Sequence, residues 1–304
     1  MRVFVTGASG FIGSAIVPEL IGAGHEVVGL ARLDASAAAV AAAGAEVHRG
    51  ALDDLDSLRA GAAASDGVIH TAFIHDFSDI AASGRTDQRA VETLGAALEG
   101  SDRSLVVTSG TGALAAGRVA TEEDRGDPAS AGGHRIPSEE TTLSLAARGV
   151  RSTVLRLPPS VHDEGDHGFV ATLVDIARDK RVSGYIGDGT NRWPAVHRLD
   201  AARLFRLALE TAPAGSVLHG VADQGVPVRT IAEVIGRHLD LPVVAIAPED
   251  AGEHFGWLAG FLGADVPATS ALTRGWVGWQ PKHRGLIDDL DLGHYFQSDD
   301  GRVK

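Results

Sequence analysis

The chain has 304 residues, with 27 lysines and arginines against 40 aspartates and glutamates, a net charge of -13, and no cysteine. A surface this anionic repels nucleic-acid phosphates and anionic lipids, and the lack of cysteine excludes disulfides, thiolate metal sites, iron–sulfur clusters and cysteine nucleophiles. Because no run of about twenty apolar residues and no N-terminal export signal is visible, we expect a cytoplasmic protein that binds a small-molecule substrate and neither membrane nor nucleic acid.

β-Strands and helices alternate through the first half of the chain, which predicts a parallel sheet with helices on both faces. The predicted strands are Val3–Val5, Glu26–Leu30, Glu46–His48, Gly67–Thr71, Ser104–Thr108 and Ser152–Leu157. The helices between them are predicted to begin near Gly13, Asp34, Asp54, Asp87 and Pro137. Residues 116–134 are predicted to form a mobile loop beside the site. After residue 158 the alternation breaks up and aromatic residues become frequent, which favours a second lobe that closes on a substrate or fills its own small core.

A strand, a turn with spaced glycines and a helix open the chain. Gly7 permits a tight turn, Gly10 lets the backbone approach phosphates, and Gly13 lets the helix pack against the strand. The helix N-terminus presents free N–H groups and a positive dipole end to an anion. The pattern predicts the pyrophosphate site of a dinucleotide, although an ordinary strand–turn–helix is the alternative; its expected contacts are Gly7, Ser9, Gly10, Phe11, Ile12 and Gly13.

Several segments, taken in order along the chain, carry a family resemblance. They are Thr6–Gly13 (T-G-A-S-G-F-I-G), Asp66–Ala72 (D-G-V-I-H-T-A), Leu105–Gly110 (L-V-V-T-S-G), Val154–Pro158 (V-L-R-L-P) with Val161 and His162, and Gly187–Gly189 (G-D-G) with Val196–Asp200 (V-H-R-L-D). Together they resemble the extended short-chain dehydrogenase/reductase superfamily, which includes nucleotide-sugar epimerases and dehydratases and 3β-hydroxysteroid dehydrogenases.

The resemblance implies a doubly wound parallel α/β sheet of the Rossmann type with a smaller C-terminal substrate lobe. We expect residues 1–158 to form the dinucleotide-binding domain, residues 193–224 to return to it, and residues 159–192 and 225–304 to form the lobe. Ligands of such sheets lie beyond the carboxyl ends of the strands. Members often dimerise, so a homodimer is a further expectation. Besides the glycine turn, the expected cofactor contacts are Leu52, Thr71, Ala72, Phe73, Ser109, Arg135 and Pro158.

The end of the second predicted strand bears on the choice of cofactor. Members that prefer NAD usually carry an acidic residue there, whereas this chain reads Val27–Arg32 (V-V-G-L-A-R) with no carboxylate before Asp34. A guanidinium pairs with the 2′-phosphate of NADP, and a carboxylate would repel it. We therefore expect NADP, with NAD as the alternative, and Arg32 as the phosphate contact. A solvated arginine that covers the adenine is the other interpretation of Arg32.

The Tyr-x-x-x-Lys pair that performs the superfamily's usual chemistry is missing from the sequence. The tyrosines are Tyr185 and Tyr295, and neither is followed by a lysine at that spacing. The superfamily's tyrosine, lysine and serine positions fall on Ala131, Arg135 and Gly110. Arg135 retains the charge that binds the nicotinamide ribose, but an arginine stays protonated and cannot act as an acid.

A substrate carbonyl would then need another group to polarise it. Thr111 follows the fifth strand and can donate a hydrogen bond, while His162 and His134 are candidates because histidine as a residue type is suited to acid–base work near neutral pH. A lone loop histidine is more often structural or solvated, so that alternative stays open. Residues 162–167 (H-D-E-G-D-H) crowd metal-ligand types together without a spacing that places them around one ion, so no metal is expected.

These observations favour an NADP-preferring oxidoreductase that reduces a carbonyl or polarised double bond of a small organic substrate, with Thr111, Arg135 and His162 as catalytic candidates. Two alternatives stay open: an epimerase or isomerase that keeps its nicotinamide bound, and a non-catalytic protein that senses NAD(P). Unrelated functions share such scaffolds, so the fold does not separate the three.

Overall fold

The computed structural model describes residues 1–76 and 78–297. The strands are β1 (Arg2–Thr6), β2 (Glu26–Ala31), β3 (Glu46–Arg49), β4 (Gly67–His70), β5 (Ser104–Gly110), β6 (Arg151–Leu157), β7 (Ser160–His162), β8 (Ser183–Ile186), β9 (Arg192–His197), β10 (Ser216–His219), β11 (Asp223–Pro227) and β12 (Val243–Ile246). The α-helices are α1 (Gly13–Gly22), α2 (Asp34–Ala42), α3 (Leu55–Ala63), α4 (Ile80–Leu98), α5 (Ile136–Ser144), α6 (Phe169–Lys180), α7 (Arg198–Thr211), α8 (Val228–Leu239), α9 (Ala251–Phe255), α10 (Ala259–Leu262), α11 (Ala271–Val277) and α12 (Leu286–Leu290).

Seven parallel strands form the central sheet, in the order β10-β6-β5-β4-β1-β2-β3. The chain order reverses between β1 and β4, which makes that junction the topological switch point. Val3, Phe4 and Val5 are fully buried because helices cover both faces of the sheet. The α/β doubly wound fold expected from the sequence is confirmed.

Helices α1 and α7 contribute to the apolar core on one face of the sheet, and α3 and α4 to the core on the other face. The two cores share no side chain, because successive residues of a strand point to opposite faces. Val3 and Val5 thus lie in the first core and Phe4 in the second. This packing fixes where each strand ends, and therefore where the loops beyond the carboxyl ends of the strands begin. We call the space between these loops the crevice.

All six predicted strands occur within two residues of their predicted bounds, and most predicted helices begin where expected. The start predicted near Asp87 is wrong. Helix α4 begins at Ile80, where Asp79 accepts a hydrogen bond from the N–H of Ala82 at 3.0 Å. In the first turns of this helix the close packing requires a glycine at position 84, since a Cβ on Gly84 would lie 2.6 Å from the carbonyl oxygen of His134.

A third apolar core lies outside the central sheet and includes Trp193 and Phe255. Around it, β7, β9 and β11 form a three-stranded sheet, and β8 pairs with β12. Segment 193–224, which the sequence predicts to return to the dinucleotide-binding domain, is divided between two sheets. Its strand β10 joins the central sheet, whereas β9 joins the three-stranded sheet. Residues 298–304 of the predicted lobe lie outside the described residues.

The loop predicted over 116–134 is held against the C-terminal part of the chain. The N–H groups of Gly117 and Ala120 donate to the carbonyls of Asp265 and Pro267 at 2.7 and 2.8 Å. These bonds tie the loop that follows β5 to the segment that precedes α11. Within residues 1–76 and 78–297, none of the helices has the length and apolar character needed to cross a membrane.

Candidate cofactor and substrate site

Three glycines build the turn between β1 and α1. Gly7 has a φ of 72°, and a Cβ added there would lie 2.6 Å from Thr71 Oγ1. A Cβ on Gly13 would lie 2.0 Å from the carbonyl oxygen of Gly7, and the N–H of Gly10 donates to that oxygen at 2.9 Å. The turn therefore requires glycine at Gly7 and Gly13, and it leaves Ser9 and Gly10 exposed.

The start of α1 has the donors that an anion needs. No backbone carbonyl in the described part of the chain accepts from the N–H of Phe11 or Ile12, and both residues are half-buried. Unpaired N–H groups at a helix N-terminus, together with the helix dipole, bind phosphate groups. These residues therefore fit a dinucleotide pyrophosphate.

Thr71 and Ala72 lie directly across the glycine turn, at the end of β4. The hydroxyl of Thr71 donates to the carbonyl oxygen of Thr6 at 2.7 Å, and the N–H of Ala72 donates to Thr6 Oγ1 at 3.3 Å. The switch point thus brings these two predicted contacts beside Gly7. Phe73 follows them into the crevice.

Two arginines lie side by side at the carboxyl ends of β2 and β3. Ala31 is the register partner of Arg49, and Arg32 directly follows Ala31. Arg49 Nη2 donates to Asp34 Oδ1 at 2.6 Å. This ion pair neutralises Asp34, which is the first carboxylate after Arg32 in the sequence. Arg32 itself is exposed and has no hydrogen bond or ion pair with any described residue. Arg49 was not among the residues predicted from the sequence.

A buried chain of hydrogen bonds runs from β1 to Arg135. Thr6 Oγ1 lies 2.8 Å from His70 Nδ1, and the Nε2 of His70 lies 3.1 Å from Asp87 Oδ1. Asp87 Oδ2 accepts from Ser138 at 2.6 Å and lies 3.5 Å from Arg135 Nη1. Burial opposes ionisation of Asp87, but the hydrogen bond and charge of His70, together with the charge of Arg135, lower its pKa. Arg135 is thereby fixed at the crevice.

The ring of Phe73 gathers basic side chains at the mouth of the crevice. The guanidinium of Arg135 lies over this ring, 3.5 Å from its centroid. The rings of His75 and His134 lie 5.1 and 5.7 Å from the Phe73 ring, centroid to centroid. Burial lowers the pKa of both histidines, and the positive charge of Arg135 lowers it further. His75 was missed in the sequence, although its place five residues beyond the buried His70 could have indicated it.

Ser109 is engaged inside the protein. Its hydroxyl donates to Glu139 Oε1 at 2.5 Å, and Arg156 Nη2 donates to Glu139 Oε2 at 2.7 Å. Both side chains of this ion pair are at most 4% exposed, so the pair fastens α5 to β6. Two other expected cofactor contacts are apolar: Pro158 is buried, and Leu52 is half-buried against the core beneath β2.

The comparisons with known proteins fit this geometry. The NAD dependent epimerase/dehydratase family model matches residues 3–219. This chain belongs to that family. It is therefore an NAD(P)-dependent enzyme by family. An uncharacterized protein of Schizosaccharomyces pombe is 50% identical over 299 residues, which cover 97% of this chain and 100% of that protein. An uncharacterized protein of Saccharomyces cerevisiae is 47% identical over 292 residues, covering 95% and 98%.

Solved structures of the same fold are more distant in sequence. A dTDP-glucose 4,6-dehydratase from Streptomyces venezuelae with NAD bound has a TM-score of 0.78 at 20% identity, covering 97% of this chain and 96% of that one. A UDP-glucose 4-epimerase from Thermotoga maritima has a TM-score of 0.76 at 20% identity, covering 97% and 98%. At this identity the likeness concerns the fold.

Both tyrosines of this epimerase/dehydratase-family chain pack in or against the apolar core that lies outside the central sheet. Tyr295 is 2% exposed, and its hydroxyl donates to Asp166 Oδ2 at 2.8 Å. Tyr185 lies in β8, with the guanidinium of Arg229 5.6 Å from its ring centroid. Neither forms part of the cluster of side chains around Phe73.

Thr111 and His162, two of the three predicted catalytic residues, are covered by the protein. Thr111 is 1% exposed, and its hydroxyl has no hydrogen-bond partner among the described residues. His162 is fully buried, with Nδ1 3.0 Å from Asp289 Oδ2. Contact with a substrate would require the residues around them to move. Arg135, the third, keeps 15% of its side chain exposed.

One group of side chains has metal-ligand character. Oxygen or nitrogen atoms of Asp163, His197 and Asp289 all lie within 4.8 Å of one another. His197 Nδ1 accepts a hydrogen bond from the N–H of Leu199 at 3.2 Å, so Nε2 of the neutral ring carries the hydrogen. This Nε2 lies 3.5 Å from Asp163 Oδ1. A ring nitrogen that carries a hydrogen donates it to this carboxylate and has no free lone pair for a metal ion.

Proposed function

We propose that this chain is an NADP-preferring oxidoreductase that reduces a carbonyl or similarly polarised double bond of a small organic substrate. The observation that carries this proposal is the pair Arg32 and Arg49 at the ends of β2 and β3, where an acidic residue would favour NAD. Arg49 neutralises Asp34, and Arg32 keeps its guanidinium in solvent. A 2′-phosphate here would meet the planar N–H fork that arginine offers to phosphate.

The reaction needs a positioned cofactor and a proton for the substrate oxygen. When bound, the reduced nicotinamide supplies a hydride to the substrate carbon. Arg135, held by Asp87, supplies the positive charge that binds the ribose side of the cofactor. We assign the proton to the histidine pair His75 and His134, because both rings flank Phe73 at the crevice. One imidazolium N–H transfers its proton to the oxygen as the C=O π pair moves onto it, and the product is an alcohol.

The test is the consumption of NADPH by the purified full-length chain with a panel of aldehydes and ketones. We expect oxidation of NADPH that depends on substrate and on enzyme, with one mole of alcohol formed for each mole of NADPH consumed. Calorimetric titration with NADPH and NADH separates cofactor binding from turnover. Absence of binding to either nucleotide would overturn the proposal.

A second candidate is an epimerase that retains its nicotinamide. The family match and the fold shared with the UDP-glucose 4-epimerase support it. Such an enzyme leaves the total amount of NADPH unchanged while its product accumulates, and the cofactor co-purifies with the protein. Measuring cofactor and product in the same reaction distinguishes the two candidates.

A further inference from the structure

Three aromatic side chains of the C-terminal lobe form a wall, which we call the aromatic wall: Phe169, Trp257 and Phe261. The ring centroids of Phe169 and Trp257 are 5.6 Å apart, and those of Phe169 and Phe261 are 5.1 Å apart. Trp257 is 44% exposed, and the other two are half-buried. Three neighbouring rings that are all partly exposed present a contiguous apolar surface, and such surfaces favour the packing of a ligand.

The aromatic wall begins next to the glycine turn. The ring of His167 lies edge-on to the ring of Phe11, with centroids 5.8 Å apart. Phe169 follows His167 by two residues, and two residues of chain span at most about 7 Å. Phe11 belongs to the turn that fits the pyrophosphate. The aromatic wall is therefore adjacent to the cofactor site, on the side of the lobe.

The segment that carries Trp257 and Phe261 is unsuited to an anionic substrate. Residues 248–273 contain no lysine or arginine, and their acidic residues are Glu249, Asp250, Glu253 and Asp265. A diphosphate is normally held by charge-assisted bonds from cations, and carboxylates repel it.

Arg192 and Arg198, which adjoin residues of the aromatic wall and of the glycine turn, are already paired with carboxylates. Arg192 precedes the buried Trp193 that packs on Phe169, and it binds Asp265 with Nε–Oδ1 and Nη2–Oδ2 distances of 3.0 and 2.9 Å. A cavity of about 430 Å³ is lined by Arg192 and Asp265, and Asp188 adds a further carboxylate to its wall. Arg198, which lies over the Phe11 ring, has its Nη2 3.0 Å from Asp163 Oδ2. Arg192 and Arg198 therefore each have a carboxylate as counter-charge.

We propose that the aromatic wall binds the substrate and selects an uncharged aromatic carbonyl compound over a nucleotide-diphosphate sugar. This inference rests on the proposed carbonyl reduction, which supplies the reacting group. The ring of the substrate packs on Trp257 and Phe169, and its carbonyl extends toward the crevice. Rings pack edge-to-face or offset on such surfaces, so the recognition needs no charge.

Equilibrium binding tests the inference independently of turnover. The full-length protein, saturated with NADP⁺, is titrated with acetophenone and, separately, with UDP-glucose and dTDP-glucose. We expect heat of binding and quenching of tryptophan fluorescence with acetophenone only. Tighter binding of either nucleotide sugar than of acetophenone would overturn the aromatic assignment while leaving cofactor binding and NADPH consumption intact.

Variants of Trp257 locate the site. Trp257→Ala should weaken acetophenone binding about tenfold, since an aromatic pair contributes on that scale, and Trp257→Phe should restore most of it. The affinity for NADPH should not change in either variant. Trp276→Ala in α11 is the matched control, because Trp276 is 47% exposed and belongs to a different helix. Equal acetophenone affinity in Trp257→Ala and the unmodified protein would overturn the proposal.

Discussion

A side-chain carbon on Gly13 would lie 2.0 Å from the carbonyl oxygen of Gly7, so these two glycines are in backbone contact across the opening turn. The same carbonyl accepts from the N–H of Gly10 and is therefore fixed in direction. The first turn of α1 is thus brought against the end of β1. Its N–H groups are aimed at the space where we place the pyrophosphate.

Gly13→Ala tests this contact. The added methyl group forces the turn open, so we expect a loss of about 1–3 kcal/mol in the free energy of unfolding and a large loss of NADPH affinity. Gly22→Ala is the control in the same helix, because a Cβ there meets nothing within 4 Å. It should leave NADPH affinity unchanged and stabilise the protein by up to about 1 kcal/mol. Calorimetry and urea unfolding measure both; equal effects of the two variants would contradict the prediction.

Arg32→Ala should discriminate between the two cofactors. Loss of charge-assisted bonds to the 2′-phosphate predicts an increase of about 10- to 100-fold in the Kd of NADPH and little change in that of NADH. Arg49→Ala should act in the same direction, and it also releases Asp34 as a repulsive charge. Arg59→Ala, at an exposed ion pair on α3, is the control. An equal loss for both nucleotides would remove the phosphate contact at Arg32.

Asp87→Asn removes the charge that holds Arg135. The amide of Asn would have to replace the hydrogen bonds of the carboxylate to His70 and Ser138, and Arg135 would lose the negative charge that lies 3.5 Å from its Nη1. We expect a loss of about 2–4 kcal/mol in the free energy of unfolding, because one partner of a buried pair is left without compensation. Asp56→Asn, at an exposed i,i+3 pair with Arg59, should change it by less than about 0.5 kcal/mol. Urea unfolding decides between these outcomes.

The sequence reveals the parts of this molecule that depend on local pattern. Apolar runs, Asp54 as the cap of α3, and the glycine turn all follow from residues that are neighbours in the chain. The roles of Asp87 and Ser109 do not. Asp87 looks like a helix start, yet it lies inside α4 and pairs with His70 in β4. Ser109 is predicted to contact the cofactor, and the bond that its hydroxyl donates to Glu139 does not follow from the spacing of residues along the chain.

The contacts of Asp87 with His70 and of Ser109 with Glu139 escape sequence analysis for one physical reason. A side-chain hydrogen bond across elements depends on how a helix is rotated over the sheet, and this rotation is set by packing rather than by spacing along the chain. Glycine contacts are different, because a positive φ and a missing Cβ restrict the residue type directly. Arg49 and His75 escaped notice for the first reason: each becomes relevant only through a partner on another element.

The lowered pKa of the buried His219 predicts that the free energy of unfolding depends on pH. Burial, together with the positive charge of Arg156, lowers the pKa of His219 from 6.5 to about 4, and its Nδ1–H donates to the carbonyl of Thr269 at 2.9 Å. The folded state therefore holds a neutral ring, and the unfolded state gains a proton first as the pH falls. The stabilisation is complete above pH 6.5 and is lost progressively toward pH 4, by at most about 3 kcal/mol. His219→Gln should flatten the pH profile of urea unfolding over this range, and an unchanged profile would contradict the assignment.

The lowered pKa of His75 and of His134 predicts how the kcat/KM of carbonyl reduction depends on pH. Burial and Arg135 lower the pKa of His75 and His134, so the protonated form that donates to the substrate oxygen becomes abundant only below the usual histidine range. The kcat/KM for carbonyl reduction should therefore rise as the pH falls through neutrality. Replacing the donor, in His134→Gln or His75→Gln, should lower kcat about 100-fold and abolish that rise, with NADPH affinity retained.

His238→Gln is the control for this prediction, because His238 lies in α8 and stacks on Phe296 rather than on Phe73. It should preserve both kcat and the pH profile. If the double variant of His75 and His134 keeps the acidic rise of the unmodified enzyme, the proton comes from another group. Thr111 and His162 would then be the next residues to replace, and a loss of turnover in those variants with cofactor binding intact would show that the crevice opens to expose them during the reaction.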